Sequence, residues 1–532
     1  MEFIHAILEH FEEFLGAYMF LGLALSLFSG LPVAFALGGV AFIFGILAII
    51  FGYMDFKAFF IITTRIWGGD GASGAVQNPV LVAIPCFIFM GTMLERSRVA
   101  ADLLHILQVL LRRVPGGLAL SVTVMGTIMA ATTGIIGASV VMMTLLALPT
   151  MLKQNYSKSL ATGTIASSAT LGILIPPSIM LVIMASLLSV SVGNLFVGAL
   201  LPGLLLSGLY FVYISILSRV KPEVAPPLPE DMIQLKPSDM ARVRRYLMII
   251  TTVVVVAVGL SYTGLEQHLN IGLTAFLLIF AISMIMGRSE GDSLFGSVLK
   301  GFIPPIFLVT LVLGSILAGW ATPTEAAGVG AFGSIVLAAF NGTLTKDVLT
   351  DVVNRTTMTT AMIFFIFVGA TTFSFIFRAV YGEDLILEFI DFLDFHDWAL
   401  LFLLMFVVFL LGFFFDWLEI TLIVLPVFSP VVQAMAGTFA GHLGMEGAFH
   451  LDLKEEMIYW YAILVAINLQ TSFLTPPFGF ALFYMKGVAP PEVKMQDIYS
   501  GIIPFVILQL IGLAAVVIFP EIALWLPGQL LD

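Results

Sequence analysis

The chain has 532 residues, of which 60% are hydrophobic and only 11% are charged, and its mean hydropathy is +1.09. A soluble domain carries about 25% charged residues, so these values exclude an ordinary water-soluble globular protein. The formal net charge of −12 lacks the basic footprint of a nucleic-acid-binding protein, which excludes nucleic acid as a partner. Apolar runs of about 20 residues, the length that crosses a lipid bilayer, recur throughout and predict one all-α polytopic membrane protein.

In chain order, residues 1–15 mix acidic and apolar side chains and are predicted to be an N-terminal interfacial segment. They lack the basic region and cleavage site of a signal peptide. The rest is predicted to form about 12 transmembrane spans plus two re-entrant hairpins. The hairpins occupy 116–153 and 398–436, and two proline-broken helices occupy 158–193 and 457–486. The other spans are predicted at 14–29, 31–51, 78–95, 197–219, 246–264, 269–287, 302–320, 323–341, 357–379 and 500–526.

The distribution of basic residues predicts the orientation. With both termini outside, 18 of the 22 Lys and Arg residues fall on the cytoplasmic side, and only four fall on the outer side, namely Lys57, Arg65, Arg378 and Lys454. If either hairpin crossed the membrane completely, every later loop would change sides and this bias would disappear. Segment 220–244, rich in proline and charge, is predicted to be a cytoplasmic linker.

The two sides of this linker resemble each other in the same order. GLPVAFALGGVAF (30–42) aligns with ATPTEAAGVGAFG (321–333), FIFMGTM (87–93) with FIFVGAT (365–371), and SATLGILIPPSI (168–179) with LQTSFLTPPFGF (469–480). The repeats are 16–219 and 302–527, with connecting helices at 245–301. Because the first hairpin enters from inside and the second from outside, the repeats are predicted to be inverted, which is typical of secondary transporters.

Two proline pairs, Pro176-Pro177 and Pro476-Pro477, lie within long apolar stretches. A proline removes a helical hydrogen bond and clashes with the preceding turn, so each pair is predicted to open its helix. The freed carbonyl groups suit a cation, and the N-terminus of the following half suits an anion. A simple proline kink is the alternative. Polar residues flank the first break (Ser168, Thr170, Gly172, Ser178) and the second (Asn468, Gln470, Thr471, Ser472, Thr475).

The hairpin tips carry further oxygen atoms. ATTGIIGASVV (131–141) has glycines flanked by hydroxyl groups, and FFFDWLEITL (413–422) contains Asp416 and Glu419. Carboxylates deep in a membrane protein mark ion or substrate paths, and hard cations prefer oxygen ligands. The alternative is that these two carboxylates are merely solvated. Glu325, which follows Pro323, is expected to complement the dipole at the start of a helix.

These segments resemble the large membrane (M) subunit of the TRAP (tripartite ATP-independent periplasmic) transporters, through GLPVAFALGG, AIPCFIFMGTMLERS, ASSATLGILIPPS, ATPTEAAGVGA and QTSFLTPPFGFALFYMKGVAP. The resemblance implies a multi-pass protein of the bacterial inner membrane with a scaffold domain and an elevator-like transport domain of the ion-transporter superfamily. It implies sodium-driven import of an organic acid, a small four-helix membrane (Q) subunit and a periplasmic substrate-binding (P) protein. FFFDWLEITLIVLP is similar to the mannitol/chloroaromatic/2-oxo acid subgroup.

The resemblance also implies binding residues, and sodium ions are the only bound ions it implies. One sodium site would combine Thr133, Gly134, Gly137 and Ser139 with Ser168, Thr170 and Gly172. A second would combine Asp416 and Glu419 with Gln470, Ser472 and Thr475. Substrate would contact Ser178, Thr132, Asn468, Thr471 and Pro477.

Two other functions remain open from the residues alone. A membrane-embedded enzyme could also use buried hydroxyl and carboxylate groups, although the sequence shows no P-loop and no H-E-x-x-H motif. An ion channel is the second alternative. The paired broken helices favour a transporter that is not an enzyme.

Overall fold

The structure is a computed structural model that describes residues 14–68, 74, 76–97, 99–133, 136–227, 245, 248, 298, 303–413, 415–443, 453–476 and 479–530. Every regular element in these ranges is a helix, which confirms the prediction of an all-α chain. Eight of these helices are long and apolar enough to cross a membrane. The interfacial segment up to residue 13, the linker from 228, most of 245–301, Gly134 and Pro477 lie outside the described residues.

Ten α-helices lie in the described residues before the linker. They are α1 (Leu15–Phe28), α2 (Val33–Ile50), α3 (Phe59–Trp67), α4 (Ala83–Arg96), α5 (Val99–Leu110), α6 (Gly117–Thr133), α7 (Ile136–Lys153), α8 (Lys158–Thr170), α9 (Ile179–Leu188) and α10 (Val192–Val220). Single 3-10 turns occur at Phe56–Ala58, Pro79–Val82, Leu171–Ile173 and Pro222–Val224.

Eleven α-helices lie in the described residues after the linker. They are α11 (Ile303–Leu317), α12 (Pro323–Phe340), α13 (Lys346–Ala379), α14 (Gly382–Leu393), α15 (Asp397–Leu411), α16 (Trp417–Ala434), α17 (Ala436–Leu443), α18 (Leu453–Ser472), α19 (Phe480–Val488), α20 (Met495–Ile518) and α21 (Glu521–Leu530).

Three predicted boundaries were wrong. Helix α13 begins at Lys346 instead of residue 357, because Thr345 caps it and Asp351 pairs with Arg355 one turn later; these charges stabilise a helix in place of a loop. The first broken helix ends at Leu188 because Ser189 is left-handed (φ 57°), and α10 starts after the Ser191 cap. The predicted span 500–526 is two helices.

The two broken segments lie at the centre of the protein. Every residue from Leu160 to Ala185 and from Glu456 to Leu474 is buried. A helix buried on all sides needs no polar face. The hydroxyl and amide side chains in these two segments are therefore enclosed by protein.

Many contacts between a helix of the first half and a helix of the second half have an equivalent contact in which the two halves change roles. Helix α4 packs against α12, and α13 packs against α2. In the same way α8 packs on α20 and α18 on α10, while α7 packs on α19 and α16 on α9. The first contact of each pair becomes the second when every helix is replaced by its counterpart in the other half. The counterparts of α2, α4, α7, α8, α9 and α10 are α12, α13, α16, α18, α19 and α20, in that order. This exchange is the packing expected of an internal repeat; its inversion across the membrane stays a prediction.

Candidate functional site

The first break interrupts the chain between α8 and α9. Helix α8 ends at Thr170, a 3-10 turn follows, and α9 begins only at Ile179, with a cis bond between Pro176 and Pro177. The Ser178 hydroxyl donates to the carbonyl oxygen of Ile173. This hydrogen bond therefore connects the two ends of the non-helical segment between the 3-10 turn and α9.

Helix α6 of the first helix pair packs tightly against this break. A Cβ atom on Gly126 would lie only 2.7 Å from the Cβ atom of Ser168, so only glycine permits this approach. The Ser168 hydroxyl lies 3.4 Å from the Thr123 hydroxyl, and Thr170 Oγ1 donates to the Ser167 carbonyl at 2.9 Å. Both α6 and α7 also contact the Leu171–Ile173 turn. The first hairpin segment and the first break thus form one packed unit.

The second break lies between α18 and α19. Asn468 Nδ2 donates to the Met405 carbonyl of α15 at 2.6 Å, and Thr471 Oγ1 donates to the Asn468 carbonyl at 2.6 Å. Thr475 Oγ1 donates to the Thr471 carbonyl at 2.6 Å. These bonds tie the end of α18 to the second hairpin segment.

The tip of the second hairpin segment touches the second break directly. A Cβ atom on Gly412 would lie 2.5 Å from the Cβ atom of Ser472. The backbone at the end of α15 therefore lies against Ser472. Sequence predicted that Asp416, Glu419 and Ser472 belong to one site, and this contact brings their segments together.

Asp416 and Glu419 form a capping box at the start of α16. Asp416 Oδ1 accepts from the Trp417 amide at 2.8 Å, and Glu419 Oε2 accepts from the Asp416 amide at 3.2 Å. The two alternatives considered from sequence were an ion site and solvated carboxylates, and neither included this cap. Thr322 and Glu325 form a second capping box at α12, which confirms the helix-dipole interpretation of Glu325.

Several buried polar atoms near the breaks have no hydrogen-bond partner among the residues that the structure describes. They include the side-chain oxygens of Thr164, Ser167, Thr421 and Ser472 and both polar atoms of the Gln470 amide. Gln470 has none of its surface exposed. Buried polar groups are normally paired, so unpaired oxygens in this region fit a role as ligands. Within the described ranges, no three His, Cys, Asp or Glu side chains lie close enough together to hold one metal ion.

A cavity of about 530 Å³ adjoins the tip of the second hairpin segment. We call it the Arg355 cavity. The first residues of four helices line it, namely Ile136 of α7, Ile179 of α9, Trp417 of α16 and Phe480 of α19. Each helix N-terminus carries a partial positive charge. At α16 the carboxylates of Asp416 and Glu419 already cap this end, whereas α9 and α19 have no side-chain cap in the described structure. The starts of α7, α9 and α19 therefore favour an anion in the cavity.

The charged lining of the Arg355 cavity consists of Arg355, Glu95, Asp416 and Glu419. Arg355 Nε lies 3.0 Å from Asp351, which Arg96 also contacts at 2.6 Å. A guanidinium has five N–H donors in a planar fork, so Arg355 can bind a carboxylate while it keeps Asp351. The cavity therefore offers both a carboxylate-binding group and cation-binding groups.

The predicted site residues are distributed between this cavity and the packed breaks. Gly137, Asp416 and Glu419 line the cavity, and the residues that follow are not part of its lining in the described ranges. Ser178, Asn468, Thr471 and Thr475 form the hydrogen bonds described above. The other described residues are buried: Ser139 in α7, Ser168 and Thr170 in α8, Gly172 in the following 3-10 turn, and Gln470 and Ser472 in α18. The side chains of Thr132 and Thr133 are not described.

Sequence reasoning missed Arg355, Glu95 and Thr421. The sequence prediction uses Arg355 only as one of the basic residues on the cytoplasmic side, because it places this residue in a loop. Glu95 stands at the end of a predicted span, and Thr421 lies two residues after Glu419. The i, i+4 spacing of Asp351 and Arg355 was the available signal, because it is typical of a helix.

Comparison with known proteins agrees with this architecture. The family model of the tripartite ATP-independent periplasmic transporter, DctM component, matches residues 20–522. The chain is 25% identical to the C4-dicarboxylate TRAP transporter large permease protein of Pseudomonas aeruginosa, over 85% of this chain and 87% of that protein. It is 24% identical to the sialic acid TRAP transporter large permease protein of Vibrio cholerae, over 94% and 96% of the two chains.

A solved structure shows the same fold at greater distance. The YdaH transporter of Alcanivorax borkumensis matches with a TM-score of 0.52 and 16% identity, covering 89% of this chain and 90% of that one. The relatives named above are transporter permeases, not enzymes. The family and the apolar helices identify a multi-pass protein of the bacterial inner membrane. The chain belongs to the DctM family, the large permease subunits of the TRAP transporters.

Proposed function

We propose that the chain imports an organic acid by sodium-coupled alternating access, and that the acid binds in the Arg355 cavity. The observation that carries this proposal is the meeting of the N-termini of α7, α9 and α19 with Arg355 in a single cavity. A carboxylate is the ligand class that both elements bind well. The permease relatives named for C4-dicarboxylates and for sialic acid support this class, because both compounds carry carboxylate groups.

Sodium coupling follows from the opposing charges in the cavity. Asp416, Glu419 and Glu95 line the same space as Arg355, so an incoming carboxylate meets like charge. Cations bound near Asp416 and Glu419 would neutralise this repulsion. Substrate would then bind tightly only after sodium, which couples the two gradients.

The two sodium sites remain where the sequence resemblance assigns them. The buried, unpaired oxygens of Gln470 and Ser472 beside the second hairpin segment support the second site. At the first site, the close contact of Gly126 with Ser168 supports a rigid pocket beside Ser139 and Thr170. Neutral oxygens at fixed positions suit a hard cation.

The full transporter would also contain the small Q subunit and the periplasmic P protein, with α6–α9 and α15–α19 moving as an elevator against a scaffold. The subgroup that takes mannitol, chloroaromatic or 2-oxo acids remains our working hypothesis for the substrate. In this scheme α13 belongs to the scaffold, so Arg355 stays fixed while the hairpin segments move past it.

The test uses proteoliposomes that hold both membrane subunits, with the binding protein outside and an inward sodium gradient. Labelled succinate, N-acetylneuraminate and pyruvate are supplied in turn. We expect sodium-dependent accumulation of at least one acid, and at least a tenfold lower rate in Arg355→Gln. Arg219→Gln is the matched control, since Arg219 is exposed and bonds only to Ser215 of its own helix at 3.2 Å in the described structure. Accumulation that ignores the sodium gradient, or equal loss in both variants, would contradict the proposal.

A further inference from the structure

A second cavity, of about 400 Å³, lies at the other end of α13. Two arginines line it, Arg65 from α3 and Arg378 from α13, and we call it the Arg65–Arg378 cavity. The Arg65 guanidinium stacks on the Phe375 ring with 4.9 Å between its central carbon and the ring centroid. Phe375 and Arg378 are three residues apart on one helix and so share a face. The two guanidinium groups therefore belong to one patch.

Polar side chains complete this lining. Asn78 Nδ2 donates to Ser186 Oγ at 2.9 Å, while Asn78 Oδ1 accepts from the Val80 amide at 3.0 Å. Ser186 accepts this bond through its hydroxyl oxygen, and a hydroxyl group can donate as well as accept. Thr64, Thr371 and Ser374 add further hydroxyl groups. The cavity thus combines two guanidinium groups with several hydroxyl groups.

The charge in this cavity is only partly balanced. Arg378 Nε pairs with Glu383 Oε1 at 2.6 Å, whereas Arg65 has no ion pair within the part of the chain that the structure describes. Partial burial and the charge of Arg378 both lower the pKa of Arg65, although a guanidinium still stays protonated. An anion between the two groups would relieve this repulsion.

The two cavities lie along the same helices and are separated by about one helical turn. Ile363 lines the Arg355 cavity and Phe367, four residues later on α13, lines the Arg65–Arg378 cavity. On α16 the corresponding residues are Leu418 and Leu422. Four residues of helix rise about 6 Å, so a thin and largely apolar layer, which also contains the buried Thr421 of α16, separates the cavities. Arg355 and Arg378 are about 35 Å apart along α13, close to the thickness of a bilayer.

We infer that the Arg65–Arg378 cavity is a second carboxylate-binding site, at the opposite mouth of the same path, in which both guanidinium groups hold the organic acid before it crosses the apolar layer. This inference rests on the proposed function for the ligand class. On the predicted topology both arginines are periplasmic, so the cavity is where a delivered acid first meets the permease. Arg378 and Arg355, at the two ends of the fixed helix α13, then bind the acid at the two ends of the path.

Arginine modification tests the site without transport. The complex of both membrane subunits, in nanodiscs, is treated with phenylglyoxal, and modification at each arginine is measured by mass spectrometry. Succinate, N-acetylneuraminate and pyruvate are the protecting probes, and neutral succinamide is the control ligand. We expect at least one acid to slow modification of Arg65 and Arg378 at least threefold, while succinamide has no effect.

Variants sharpen the result. Arg65→Gln should abolish protection of Arg378, and Glu383→Gln should strengthen protection because a competing carboxylate is removed. Arg219→Gln, outside both cavities, should change neither. The inference is overturned if no acid protects Arg65 or Arg378, or if succinamide protects them equally.

The same data separate this inference from the proposed function. Protection of Arg355 alone would overturn the second site and leave the proposed function standing. Protection of Arg65 and Arg378 alone would support the second site and count against the Arg355 cavity. Protection at none of the three arginines would contradict both.

Discussion

Replacing the carboxylates of the α16 capping box separates a structural role from a sodium-binding role. Asp416→Asn keeps an oxygen that can accept from the Trp417 amide, now at 2.8 Å, and Asn is as good a helix cap as Asp. Glu419→Gln keeps the capping-box pattern, which accepts Glu or Gln. Both variants therefore remove charge while they preserve the cap. Asp416→Ala removes the cap as well.

The expected magnitudes differ accordingly. Loss of the cap in Asp416→Ala should cost about 1 kcal/mol of stability, visible in thermal unfolding of the complex in nanodiscs without sodium, whereas Asp416→Asn should unfold close to the wild type. If Asp416 contacts sodium, Asp416→Asn should raise the sodium concentration for half-maximal uptake at least tenfold, or about 1.4 kcal/mol. The reasoning is refuted if Asp416→Asn and Glu419→Gln both leave this concentration within twofold of the wild type.

Three further predictions concern packing, topology and partners. Gly412→Ala should destabilise the protein by about 1–3 kcal/mol, because its Cβ atom would lie 2.5 Å from that of Ser472. Gly437→Ala is the control, since no described atom outside its own helix lies within 4 Å of the added Cβ, and it should unfold at or slightly above the wild-type temperature because alanine favours a helix more than glycine does; equal unfolding of both variants would contradict the close contact. In a Cys86→Ser background, a cysteine replacing Lys221 should react with an impermeant maleimide only from the cytoplasm and one replacing Glu521 only from the periplasm, and labelling of Lys221→Cys in sealed cells would refute the orientation. The chain without the small subunit and binding protein should show little uptake, so robust uptake by the chain alone would count against the three-part assembly.

The positions of the helix interruptions could be predicted from sequence because their causes are local. Proline cannot continue a helix, and the interval from Thr170 to Ile179 that contains Pro176 and Pro177 is not continued α-helix in the structure. Helices α6–α7 and α15–α16 meet near the predicted hairpin tips. Their re-entrant insertion and the sides of the membrane they enter stay predictions.

The capping box at α16 was within reach of the sequence. Asp416 and Glu419 have the spacing of an acidic cap followed by Glu at the third helical position, and an apolar run follows. The same physics was applied correctly to Glu325. At Asp416 the apolar surroundings favour an ion ligand or a solvated group over a helix cap, so the sequence prediction does not include the cap.

The cavities could not be predicted from local sequence. The Arg355 cavity needs Ile136, Ile179, Trp417 and Phe480 side by side, and no periodicity relates segments that are so far apart in the chain. Arg355 itself is predicted to lie in a loop, because the distribution of basic residues indicates the side of the membrane but not where a helix begins or ends. Tertiary packing decided both features.

Counterflow of labelled acid is the most direct test of sodium-coupled transport through this chain. Proteoliposomes that contain both membrane subunits are preloaded with an unlabelled acid from the set above, with sodium on both sides, and the labelled acid and binding protein are added outside. The account predicts a transient, saturable accumulation of unchanged label that disappears without sodium and is at least tenfold weaker in Arg355→Gln. Conversion of the label to another compound, as by an enzyme, or sodium-independent, non-saturable equilibration, as through a channel, would contradict it.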